Sequence, residues 1–325
     1  MSFSTFAYPW SRCIVLAMML LSSCAGVRQQ SQSLRVEAGY CDPPNLVADD
    51  PAFLPLPDIR PQLRDSLLPK RFSRRSLLLA NAAGVLPQLH ELVRLERATP
   101  TGNARSEQYQ AQQQRILTRL LLLSTTIASV AAELDCEGER ADQVASYLTE
   151  HADKREQRLT VLSIAIGAAS GIATTVLEGR TGQYTFGIGG GIATAALGVL
   201  TLTSNPSVVF THPRNMLTDI WQETKQSDTY PPAVWYVLME PAFSNQGQSS
   251  LAHNARRRWQ HYGQLERPDS RKGRAQQQLL FGGGGRYDAD ALRLRADMLN
   301  ELQASVRLIN QELRVLLQEL TPPGQ

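Results

Sequence analysis

Aromatic residues are scarce in this chain, at 6% of 325 positions. The period-two alternation of apolar and polar residues that marks a half-buried strand is hard to find anywhere. With Leu, Ala, Gln and Arg frequent, these two lacks favour an all-α protein. Net charge is almost missing as well, at +3, so long-range attraction to nucleic acid is not indicated. Recognisable catalytic arrangements are absent. The five histidines, His90, His151, His212, His253 and His261, form no His-Glu-x-x-His pair, and the chain has no Gly-x-Ser-x-Gly, Walker loop or dinucleotide fingerprint after a strand. His151 with Glu150 and Asp153 makes a poor metal set, because adjacent residues do not share a helix face. The reading is a protein that is not an enzyme, with no cofactor and no metal.

What the chain does have is a pair of charge-free stretches rich in small residues, Leu159–Leu177 and Tyr184–Leu202. Each is close to the ~20 apolar residues that span a bilayer core as helix. The polar connector Glu178-Gly179-Arg180-Thr181-Gly182-Gln183 makes the pair an αα-hairpin, spanning 159–203. Small residues recur four apart: Ala165, Ala169, Ala173, Gly167 and Gly171 on the first arm, and Gly187, Gly191, Gly190, Thr194 and Gly198 on the second. Such stripes let two helix backbones approach closely. Gly167, Gly171, Gly187, Gly191 and Gly198 are the candidate packing positions. Because Gly, Ala, Ser and Thr dilute the apolar residues, two locations stay open: buried inside a soluble bundle, or inserted in a membrane.

The first residues read as a targeting segment, with Arg12 ahead of the apolar run Cys13–Leu21. That run ends in Leu21-Ser22-Ser23-Cys24, followed by Ala25 and Gly26, and resembles at all four positions the lipobox of bacterial lipoproteins. The resemblance covers about the first 25 residues and implies removal of 1–23, lipidation of Cys24, and a protein anchored by acyl chains to a membrane. With Ala rather than Asp at position 25 it further implies the outer membrane, facing the periplasm. Loss of Cys13 and lipidation of Cys24 leave Cys41 and Cys136, an even pair in an oxidising compartment and the candidate disulfide.

Seven prolines between Pro43 and Pro69 make 24–75 a Pro-rich tether in this reading, with Lys70–Arg75 able to touch anionic headgroups. Residues 76–325 form the helical body. Ser76 is the expected cap of a helix over 76–97 that Gly84 and Pro87 kink or interrupt. The 4–3 seam Ile116, Leu120, Leu123, Ile127, Val130, Leu134 predicts a helix over 105–135, ended by Asp135-Cys136-Glu137-Gly138. A third long helix runs over 140–178, into the first arm. Short helices follow in 207–263, where Trp221, Trp235, Tyr236, Trp259 and Tyr262 either pack the bundle or form an interfacial belt. Arg256, Arg257, Arg258, Arg271, Lys272 and Arg274 form a candidate basic patch, and Gly282–Gly285 reads as a hinge. The last helix, 288–320, carries a leucine stripe broken at Arg295, suited to pairing with 105–134 or to self-association.

The expectation is an all-α helical bundle with long coiled-coil-like helices and a glycine-rich hairpin. Its function is that of a lipid-anchored structural or assembly component of an envelope complex, bound to the membrane by its lipid and to an envelope partner by its body. The alternative is a membrane-perturbing or pore-forming protein, as colicin-type pore domains are, favoured if the hairpin proves exposed.

Overall fold

The seam at 116–134 and the leucine stripe of the last helix face each other, and this pairing sets the architecture. In the computed structural model, which describes residues 39–43, 50–98, 107–176 (side chains to 171), 189–197, 206–262 and 265–321, the helices are α1 (Arg60–Leu63), α2 (Arg74–Ala82), α3 (Leu86–Ala98), α4 (Glu107–Val176), α5 (189–197), α6 (Met216–Gln222), α7 (Pro232–Met239), α8 (Leu251–His261), α9 (Arg271–Phe281) and α10 (Ala289–Leu320). Two strands, β1 (Ser207–Thr211) and β2 (Gly284–Asp288), pair antiparallel. The described residues belong to one compact unit, and the fold is all-α with a single two-stranded ribbon.

α4 is one helix of 70 residues, about 105 Å long. The stop expected at 135–138 does not occur, so helices 105–135 and 140–178 are one rod and Cys136 sits mid-helix. The reason is packing. A Cβ on Gly138 would lie 2.8 Å from Asn300 Oδ1 and 3.6 Å from the Ala296 carbonyl, so this glycine makes room for α10 to cross. Its helix-propensity cost of ~1 kcal/mol is small beside the seam it permits. Ile116, Leu120, Leu123, Ile127, Val130, Leu134, Ala141, Ala145 and Leu148 are buried on α4, as are Leu292, Leu299, Leu302, Val306, Ile309, Leu313, Leu316 and Leu320 on α10. Cross-bonds from Gln303 to Asp135 and from Arg293 to Thr149 (2.7 Å) show the two running antiparallel. The stripe is thus consumed within the chain and is not free for self-association. Arg295 does not break it: fully buried, its Nη1 donates to Asn215 Oδ1 and the Leu280 carbonyl, both at 3.1 Å.

Cys41 and Cys136 form the disulfide, across a separation of 95 residues. The Pro-rich segment from Pro51 onward is not a free tether. Ile59, Leu68 and Phe72 are buried, and Leu56 and the Asn81 side-chain amide exchange two hydrogen bonds of 3.0 and 2.9 Å. The prolines set the first turns of short helices rather than forbidding structure. Arg71 and Arg75 are occupied by Glu96 (3.4 Å) and Glu312 (3.1 Å), which takes the expected headgroup contact away from them. Ser73, not Ser76, caps α2. The break expected near Gly84 is there: φ of +68° places it in the left-handed region, and a Cβ would meet the Phe53 carbonyl oxygen at 2.4 Å.

The ribbon was not foreseen, and the glycine run is no hinge. Gly284 and Gly285 belong to β2, where Gly284 (φ +97°) lets the strand pass within 2.3 Å, at a built Cβ, of the Phe210 carbonyl oxygen. Five ladder pairs are short for the alternation test, and three of the ten residues are Gly or Asp. The ribbon ends at His212, buried against Phe210 and Tyr287. Its Nε2 lies 2.9 Å from the Tyr287 hydroxyl, which itself donates to the Leu279 carbonyl at 2.7 Å, so the imidazole is the donor in that pair. Nδ1 is buried with no hydrogen-bond partner among the described residues. Burial, helped by the Arg295 charge, pushes the imidazole pKa down to about 3. The unfolded chain therefore takes up this proton first, and stability falls as pH drops from the ordinary value of about 6.5 toward 3, by up to ~1.4 kcal/mol per unit. We expect urea-unfolding free energies of the wild type to decline more steeply between pH 6.5 and 4.5 than those of His212→Asn, and parallel slopes would contradict this origin.

Candidate functional site

The body ends on α4 at Leu148, the last buried residue of that helix among those described, and the helix does not. From Thr149 to Gly171 no residue is buried. The first ten carry Glu150, Asp153, Lys154, Arg155, Glu156 and Arg158; from Leu159 to Val176 there is no charge at all. Val161, Leu162 and Ile164 are 67%, 45% and 65% exposed, and Ile192 on α5 is 66% exposed. Among the described residues, the arms are therefore not packed inside the body, against the buried location left open by the sequence.

The arms touch at Gly190, where a Cβ would fall 2.4 Å from that of Ser170. This is the close approach that the small-residue stripes called for, but at a different pair. A Cβ on Gly167, Gly171 or Gly191 meets no atom within 4 Å among the described residues. Four-residue spacing left two helical phases available, and the phase with Gly190 faces inward. Gly187, Gly198, the connector 178–183 and Cys24 lie outside the described residues. Hydroxyls on the arms bond back into their own helix: Ser163 to the Thr160 carbonyl (2.8 Å), Ser170 to Gly167 (2.9 Å) and Thr194 to Gly190 (2.7 Å). Polar groups so satisfied need neither water nor a neighbour.

The six basic-patch residues do not make one surface. Arg256 pairs with Glu223 at 3.1 Å and lies over the Trp221 ring, Arg258 pairs with Glu301, and Arg257 projects from a third side of α8. Successive helix residues are turned by about 100°, which scatters three consecutive arginines. Arg271, Lys272 and Arg274 are exposed on α9, which packs on α6 and β2, whereas α8 packs on α6, α7 and α10. The aromatics of 207–263 pack short helices together: Trp221 stacks on Phe281 at 4.3 Å, Tyr230 on Trp235 at 5.5 Å, and Trp259 is buried with Nε1 on Glu301 at 2.8 Å. Tyr262 is the exception, 77% exposed.

A cleft of about 910 Å³ lies between α8, α10 and the 243–246 loop. Sequence reading missed it, because it is assembled from Arg75 and from segments around 243–262 and 301–312, and the lining residues that stood out in the sequence did so for other reasons. Among the described residues no cluster of three or more His, Cys, Asp or Glu is placed to hold a metal ion. No protein-family model, curated protein or solved structure matches the chain.

Proposed function

We propose that this is a non-enzymatic lipoprotein of the bacterial outer membrane whose hairpin enters the bilayer, holding the helical body as a structural component at the periplasmic face. The observation that carries the reading is the exposure of the hairpin: α4 presents a charge-free apolar span in which no described side chain is buried. Exposed apolar surface of this extent calls for a membrane or a partner. Lengths support the membrane. The charge-free part of α4, Leu159 to Val176, is about 27 Å long, against ~30 Å of hydrocarbon. The charged stretch before it, about 15 Å, is the collar suited to the headgroup zone. Back-bonded hydroxyls and a glycine-mediated contact between the arms are what a membrane hairpin needs, since lipid offers backbones no hydrogen bonds.

The test removes the lipid and asks whether the hairpin holds. With residues 1–24 replaced by an ordinary cleavable secretory signal, the chain stays in the membrane fraction through alkaline carbonate extraction. Complete release into the supernatant would overturn the proposal.

A further inference from the structure

We infer that the cleft between α8 and α10 is a docking groove for an acidic, amphipathic helix of a partner protein. Its walls are one face of each helix over three turns: Leu251, Asn254, Arg257, Arg258 and His261 on α8, and Glu301, Ala304, Ser305, Leu308, Ile309 and Glu312 on α10. That is a trough about 16 Å long, the length of a three-turn helix. Its floor is apolar and buried, made by Val237, Phe243 and Ile309, while Leu308 (52% exposed) and Tyr262 (77%) stand uncovered at its edge. Laying an apolar helix face into such a trough is a recurrent mode of recognition.

Charge selects the occupant. Both carboxylates of the cleft are neutralised from within: Glu301 accepts from Arg258 and from Trp259 Nε1 at 2.8 Å, and Glu312 pairs with Arg75 at 3.1 Å. Arg75 is held further by the Ala242 carbonyl at 2.9 Å. Arg257 and His261, one helical turn apart on the same wall, have no acidic partner among the described residues. A partner helix with leucines on its buried face and carboxylates one turn apart on its flank satisfies both walls. The groove does not involve the hairpin and stands apart from the membrane reading.

The experiment is fluorescence anisotropy with purified full-length protein. The probe is a fluorescein-labelled three-turn model peptide with a leucine face and flanking glutamates one turn apart, compared with its glutamine counterpart. The glutamate peptide binds about tenfold tighter than the glutamine one, and Arg257→Glu removes that advantage. Leu308→Asp abolishes binding of both peptides, whereas Lys272→Glu, the same charge change elsewhere, leaves them unchanged. Arg257 and Leu308 are exposed, so the variants keep the fold, checked by unchanged thermal melts. Absence of binding, equal affinity of the two peptides, or equal loss in Arg257→Glu and Lys272→Glu would overturn the inference.

Discussion

Two aspartates in the first arm, Ile164→Asp with Ala168→Asp, release the unlipidated chain from membranes almost completely while leaving its folded body intact. Both positions are exposed in the protein, so no internal contact is lost and the thermal melt in water stays where it was. In the bilayer the same side chains cost about 2.5–3.5 kcal/mol each near a helix centre. Two of them oppose insertion by about 5–7 kcal/mol, more than a thousandfold in the equilibrium. Carbonate extraction and flotation read the outcome. If the double variant fractionates like its parent, the hairpin is not what holds the chain.

The second large effect lies at the disulfide. Cys41→Ser opens a loop of 95 residues and is expected to lower the unfolding free energy by about 4–5 kcal/mol on a chain-entropy argument. The bond ties the segment 39–43 to the middle of α4, a point on the rod shared by Gln303 of α10 through Asp135 and by Arg214 through Glu133 (2.6 Å). Loss of the bond thus loosens the chain's N-terminal connection at the waist of the body. Urea titration of the oxidised and reduced wild type, and of Cys41→Ser, measures this. A difference below about 1 kcal/mol would show that the staple adds nothing to the fold.

Much of the architecture was legible because it rests on period. The 4–3 seam at 116–134 and the stripe at 292–320 are faces of long helices, and each found the other. The left-handed break at Gly84 was legible from local chemistry alone. The failures have a common physical source, a tertiary contact overriding a local signal worth ~1 kcal/mol. Gly138 read as a stop because isolated glycine weakens helices, yet here it is the seat of Asn300 and Ala296. Arg295 read as a break because guanidinium is seldom buried, yet Asn215 and a carbonyl from a distant segment receive it. The prolines before Pro69 read as a tether because proline breaks long elements, yet Ile59, Leu68 and Phe72 between them anchor the segment.

At the hairpin, composition located the arms but could not give their phase. Four-residue spacing is satisfied by Gly167 and Gly171 as well as by Ser170, and only the paired backbones single out Ser170 with Gly190. Exposure was equally out of reach, since an apolar helix has the same sequence in a core and in a membrane. The cleft could not be read at all: its cations are visible in the chain, but which of them keep a carboxylate is settled by Glu301 and Glu312 from another helix.

Depth in the bilayer tests the central claim most directly. A single cysteine is placed at Ile164, or at Lys154 in the charged collar, with Cys41 and Cys136 left bonded, and each is labelled with the environment-sensitive dye NBD and reconstituted into phospholipid vesicles. The account predicts that dye at position 164 emits from an apolar environment, is quenched by nitroxides on the acyl chains and is shielded from aqueous iodide, while dye at 154 shows the reverse. Quenching of position 164 by iodide as strong as that of position 154, with no effect of the acyl-chain nitroxides, would contradict it.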